Sequence, residues 1–210
     1  MDFLMDSTES AGRELAESGA IKVGQLLTPL TRYKRWSGNF AIDNGAFSRF
    51  NVHAFQSLLE REYEHRRLCR FVAIPDVVGD ARRTLEVFAL TAHDLRSKGW
   101  KVALVLQDGI ADLAIPWREL DAVFVGGTTK FKESPAAMAC AKAAQILGKL
   151  VHVGRLNTPD RWDRWAKIAD TCDGSGVSRY SHMRQTLVDH VRTGGHTKKR
   201  KPKPTSPQAN

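Results

Sequence analysis

No run of the 210-residue sequence reaches the ~18 consecutive apolar residues of a membrane span. Cysteine is scarce as well. Cys69, Cys140 and Cys172 stand far apart with no CxxC pair, too scattered for a disulfide framework or a structural zinc site. The first ten residues, MDFLMDSTES, are acidic and lack the positive segment of a secretory signal. The expected setting is cytoplasmic and reducing, with no membrane partner. There is no HExxH, and GGTTK at 126–130 lacks the first glycine of a phosphate-binding P-loop. Metal-dependent hydrolysis and nucleoside-triphosphate chemistry thus have no motif behind them.

What the chain does carry is an ordinary globular composition, 42% hydrophobic and 26% charged, of a length that suits one domain. Net charge is +9 and unevenly placed. Five of the 32 basic residues lie in 194–210 with no acid among them, which leaves 27 against 23 acidic residues in the body. The tail GGHTKKRKPKPTSPQAN is almost free of apolar residues and is expected to be disordered, with residues 1–193 forming a single domain. A basic body with a basic tail suits a polyanion, nucleic acid first. Such tails also serve only to solubilise.

Between the ends, short β-branched runs alternate with amphipathic stretches. Strands are expected at 2–5, 21–27, 39–43, 70–75, 101–106, 121–125, 150–154 and 168–172. Most are continuously apolar, as in parallel strands covered by helices. Helix starts are marked by Asn51, Asp80, Ser134-Pro135 and Thr158-Pro159, and stops by Gly99 and Gly148, with further helices at 8–18 and 180–192. About eight β-α units predict an α/β fold, a (β/α)8 barrel of the TIM type, compact or reduced, with an open doubly wound sheet as the alternative.

The residues ending these strands are polar. Asp43 follows NFAI, Asp76 follows FVAIP, Gln107 follows VALVL, Gly126-Gly127 follow DAVFV, Arg155 follows VHVG, and Asp173 follows IADTC. In a barrel these ends share the face where chemistry sits. Singly, each is also a common turn residue; the glycines would serve a tight turn needing positive φ. As a set, three carboxylates on one rim suit chemistry at an anomeric carbon, one attacking and another managing a proton. An amide and the backbone N–H groups of a double glycine suit the edge of a planar heterocycle. The histidines His65, His93 and His182 fall on predicted helices, Trp162 and Trp165 share one helical face, and Cys172 lacks an activating histidine in sequence. All of these read as packing or surface residues.

The series AIDNGAFS, FVAIPDVV, LVLQDG, FVGGTTKF, VHVGRLNTPDRW and IADTCDGSG resembles, in order and spacing, the motifs of tRNA-guanine transglycosylases over roughly residues 39–180. It is more similar still to their DNA-acting relatives, the DpdA-type proteins of phages and bacteria. The resemblance implies a (β/α)8 barrel that exchanges guanine in nucleic acid for a free 7-deazaguanine, without a cofactor. By position, Asp173 resembles the nucleophile that attacks C1′, with Asp170 as the alternative carboxylate, and Asp43 the proton shuttle. Asp76, Gln107, Gly126 and Gly127 would hold the base edge, Phe47 would stack on it, and Arg155 and Arg179 would contact phosphate. The target nucleotide would have to leave its stack. The Cys-x-Cys-x2-Cys…His zinc site of the tRNA enzymes has no counterpart here, so the resemblance implies DNA rather than tRNA and no metal. A homodimer or a larger modification complex is compatible with it. Three further readings use the same rim: a hydrolytic DNA glycosylase, a non-catalytic DNA-binding subunit, and a barrel enzyme acting on a sugar phosphate.

Overall fold

The structure is a computed structural model that describes residues 1–30 and 34–195. Eight parallel strands close into a barrel in sequence order: β1 (Asp2–Met5), β2 (Val23–Leu27), β3 (Phe40–Ile42), β4 (Cys69–Ala73), β5 (Val102–Leu106), β6 (Ala122–Val125), β7 (Leu150–Val153) and β8 (Thr171–Asp173). β1 pairs with both β2 and β8, which leaves no open edge. The expected (β/α)8 barrel is therefore present. The open-sheet alternative is not, because its outer strands would have free edges. All eight expected strands occur. The last starts later than expected, because Ile168 and Ala169 close the preceding turn through hydrogen bonds to Trp165.

Helices cover the outside: α1 (Glu9–Glu17), α2 (Val52–Glu62), α3 (Ala81–Ser97), α4 (Thr129–Lys132), α5 (Pro135–Ile146), α6 (Pro159–Trp165), α7 (Ser175–Arg179) and α8 (Ser181–Arg192). Their starts follow the side chains the sequence singles out. Asn51 accepts from the Ala54 amide, Asp80 from Arg83 and Ser134 from Ala137, each capping an orphan donor. Thr158 makes no such side-chain bond, and proline at the first turn of α6 stands in its place. The barrel is reduced in two places. Among the described residues no α-helix follows β2, and only a short 3-10 turn, Ile110–Asp112, follows β5. Trp36, in the β2–β3 connection, fills the first gap. Its ring lies where a methyl group on Gly12 of α1 would be 2.4 Å away, and its indole N–H donates to the Ser7 carbonyl. Leu113, Ile115 and Trp117 pack against the outer core beyond β5. Residues 196–210, most of the expected disordered tail, lie outside the described residues.

Strand alternation separates two apolar layers. One lies between barrel and helices. The other fills the barrel itself, with Leu4, Leu26, Ala41, Phe71, Ala73, Ala103, Val105, Ala122 and Phe124. Phe71 and Phe124 meet edge to face at 6.2 Å, and His152 packs against both. At the N-terminal mouth Arg70 pairs with Asp2 at 2.6 Å and reaches Asn39, plugging that end with polar groups. Closure brings backbones very near: a methyl group on Gly24 would lie 2.5 Å from the Asn39 carbonyl oxygen and 2.7 Å from Leu4. Gly24→Ala is therefore expected to cost about 1–3 kcal/mol in urea unfolding. An unchanged midpoint would mean that β2 and β3 do not approach this closely.

Candidate active site

The C-terminal strand ends converge as a barrel requires. Asp43, Asn44, Phe47, Asp76, Gln107, Gly126, Gly127, Lys132, Gly154, Arg155 and Asp173 line one pocket. Every residue singled out at a strand end lies there, and so does Phe47. Arg179 does not; it is exposed at the end of α7, away from the pocket lining. Asp170 is also elsewhere. It stands before β8, on the opposite rim, where its carboxylate accepts from the Val151 amide at 2.8 Å. Asp121 does the same for Val102 ahead of β6, so both aspartates tie neighbouring strands together.

Asp43 follows β3 in the Asp-Asn-Gly turn, whose glycine takes φ +76°. Its Oδ1 accepts from the Gly45 amide at 3.1 Å, so the side chain shapes the turn and faces the pocket at once. Burial pushes its pKa up to about 7; the Gly45 amide opposes this, and the like charges of Asp173, Asp76 and Asp6 add to it.

Asp76 is held from both sides. Oδ1 accepts from Asn44 Nδ2 at 2.8 Å and Oδ2 from Gln107 Nε2 at 2.5 Å. Gln107 in turn accepts from the Gly79 amide at 2.9 Å and is 1% exposed, so it is a buried brace and not a loose loop amide. Burial raises the Asp76 pKa, while the two amide donors work against it. Gly126 and Gly127 leave room that side chains would take. A methyl group on Gly126 would meet Val105 at 2.6 Å, and Gly127 has φ +69°.

Asp173 ends β8. Its Oδ1 accepts from the Arg155 amide at 3.2 Å and meets His152 Nε2 at 3.1 Å. His152 is fully buried and its pKa is lowered, chiefly by burial, with Asp173 pulling the other way. The neutral ring therefore donates from Nε2, and Nδ1 accepts from the Thr171 hydroxyl at 2.9 Å. No described residue donates to Asp173 Oδ2. Arg155, itself at φ 60°, lays its guanidinium 3.9 Å over the exposed Phe47 ring and donates to the Gly127 carbonyl at 2.7 Å. Both residues line the pocket, so the Phe47 ring is paired with a cation there.

Asn44, Lys132, His152 and Asp6 were not singled out in the sequence. Asp6 follows β1 just as Asp43 follows β3, and the strand-end rule would have found it. His152 occupies an inward position between Leu150 and Gly154, a signal available from alternation. Among the described residues there is no cluster of three or more His, Cys, Asp or Glu able to hold a metal. The pocket is narrow, about 60 Å3, against about 810 Å3 for an apolar cleft between α2 and α3. The larger cleft lies outside the barrel, away from the converging carboxylates.

No protein-family model matches the chain, and no curated protein matches it in sequence. Solved structures with a similar course include a phosphoribosyl anthranilate isomerase from Thermus thermophilus, at 14% identity and TM-score 0.48, covering 92% of this chain and 99% of that one. Another, described as native KDPGal, has 12% identity and TM-score 0.46, covering 91% and 93%.

Proposed function

We propose that the barrel mouth is the active site of a nucleic-acid base-modifying glycosyl enzyme, a DNA-guanine transglycosylase that inserts a 7-deazaguanine through a glycosyl–aspartate intermediate. One observation carries the reading. Asp43 and Asp173 face one pocket, the first with its pKa raised by burial to about 7, the second with one oxygen held by the Arg155 amide and His152 Nε2 and the other without a described donor. The motif ladder supplies the substrate class.

In this mechanism Asp173 Oδ2 attacks C1′ of the flipped nucleotide. The C1′–N bond breaks, its electron pair passes to the departing base, and the protonated Asp43 carboxyl neutralises that base. An incoming base gives its proton to the Asp43 carboxylate and attacks C1′, and Asp173 leaves. Asp76, braced by Asn44 and Gln107, accepts from the N–H edge of the base, and the Gly127 amide faces its carbonyl. A pocket of about 60 Å3 is well below the ~300–1,000 Å3 of usual ligand sites. Base entry therefore requires the pocket lining to open.

The test is trapping. The protein is incubated with short single- and double-stranded DNA, with and without a 7-deazaguanine base, and its intact mass is measured. A protein–DNA adduct that disappears when the free base is added is the expected result. Abasic sites formed without any added base would redirect the reading to a hydrolytic glycosylase. No adduct and no exchange with either DNA form would overturn it.

A further inference from the structure

Among the described residues, three non-histidine charged side chains are buried: Glu62, Lys132 and Arg184. Two of them are paired. Glu62 takes Arg35 and Arg61, both at 2.9 Å, and Arg184 takes Glu14 and two backbone carbonyls. Lys132 differs. It is 9% exposed, its Nζ donates to the Gly154 carbonyl at 2.9 Å, and among the described residues it forms no contact ion pair. An ammonium has three N–H donors, so two remain without an acceptor among the described residues. Burying a cation with no carboxylate in contact is costly. The side chain lines the mouth pocket, and Arg155, from the loop after β7, adds a second positive charge there. Burial and that neighbouring cation lower the lysine's pKa to about 8, against the pull of the Asp173 and Asp108 carboxylates, neither of which is in contact with it.

We propose that Lys132 Nζ and the Arg155 guanidinium form a subsite in the mouth pocket for a phosphoryl oxyanion of the ligand. Two cationic donors, one from the end of α4 and one from the loop after β7, suit a tetrahedral anion with several acceptor oxygens. A nucleic-acid phosphate and a sugar phosphate offer the same group. The inference rests on the proposed function only in taking this pocket as the ligand site, and it needs neither Asp173 nor Asp43 to react.

The experiment follows the thermal midpoint of the full chain against inorganic phosphate, with chloride at matched ionic strength as the control. The wild-type midpoint is expected to rise with phosphate and not with chloride. Lys132→Gln keeps a donor for the Gly154 carbonyl and removes the charge. It is expected to lose the phosphate response and, without phosphate, to melt roughly 2–4 °C above wild type. Lys132→Arg, which keeps the cation, is expected to retain the response. An oligonucleotide or ribose 5-phosphate reproducing the shift at lower concentration would each support the subsite and would identify the source of the phosphate. A wild-type response equal to that of chloride, or a Lys132→Gln variant that melts lower and still responds, would overturn the subsite. Adduct formation is scored separately, so either proposal can fail alone.

Discussion

Asp173→Asn is expected to abolish the protein–DNA adduct and to lower base exchange by on the order of 10^4-fold or more, the scale seen when a covalent nucleophile is removed. The substitution is nearly isosteric. An amide oxygen at Oδ1 still accepts from the Arg155 amide and from His152 Nε2, so the end of β8 should keep its place and the melting point should change little. What is lost is the anionic Oδ2, the oxygen to which no described residue donates. Intact mass reports the adduct and nucleoside analysis of the digested DNA reports exchange. An Asp173→Asn variant that still forms the adduct would remove Asp173 from its role, and Asp170 would be no substitute. Its carboxylate is committed to the Val151 amide on the far rim.

How much of this was legible depended on which physical signal each element left. Most strands were plain, because a parallel sheet covered on both faces favours apolar runs such as VALVL and AVFV. Helix starts were plain where a side chain satisfies an orphan amide, as at Asn51, Asp80 and Ser134. The rim was legible because a polar residue directly after an apolar strand has only one end of a barrel to occupy. What the sequence left hidden was how the rim residues treat one another. Gln107 was visible as a strand-end amide, but its role as a brace on Asp76 depends on Gly79, brought near by the β4–α3 connection. Phe47 was visible as an aromatic near the pocket, but its stack on Arg155 needs two loops that are 108 positions apart in sequence to meet. Lys132 was missed for a related reason: inside a short helix, one polar residue gives no sign of whether it points inward, until closure settles the facing.

Asp43→Asn is expected to separate chemistry from stability most sharply, because the same buried carboxyl sets both. Its pKa of about 7 stands well above the ordinary aspartate value of 3.8. A raised carboxyl pKa means that the folded protein holds a proton the unfolded chain has already released. Stability therefore falls as pH rises from about 4 to about 7, and above 7 the folded state carries the full cost of a buried anion facing Asp173, Asp76 and Asp6. Asparagine removes that cost and still offers an oxygen to the Gly45 amide. The variant should match wild type near pH 4 and be more stable by roughly 2–4 kcal/mol at pH 8, several degrees in melting point for a chain of this size. Exchange should move the other way: the wild-type rate inflects near pH 7, where Asp43 can both give and take a proton, and the variant loses the inflection together with most of its rate. Melting curves of both proteins from pH 4 to 8.5 decide the matter. A difference that stays constant across that range would show that Asp43 titrates as an ordinary surface carboxylate. A proton shuttle needs an affinity near neutrality, and here the burial that provides it is also what the folded protein loses stability to keep.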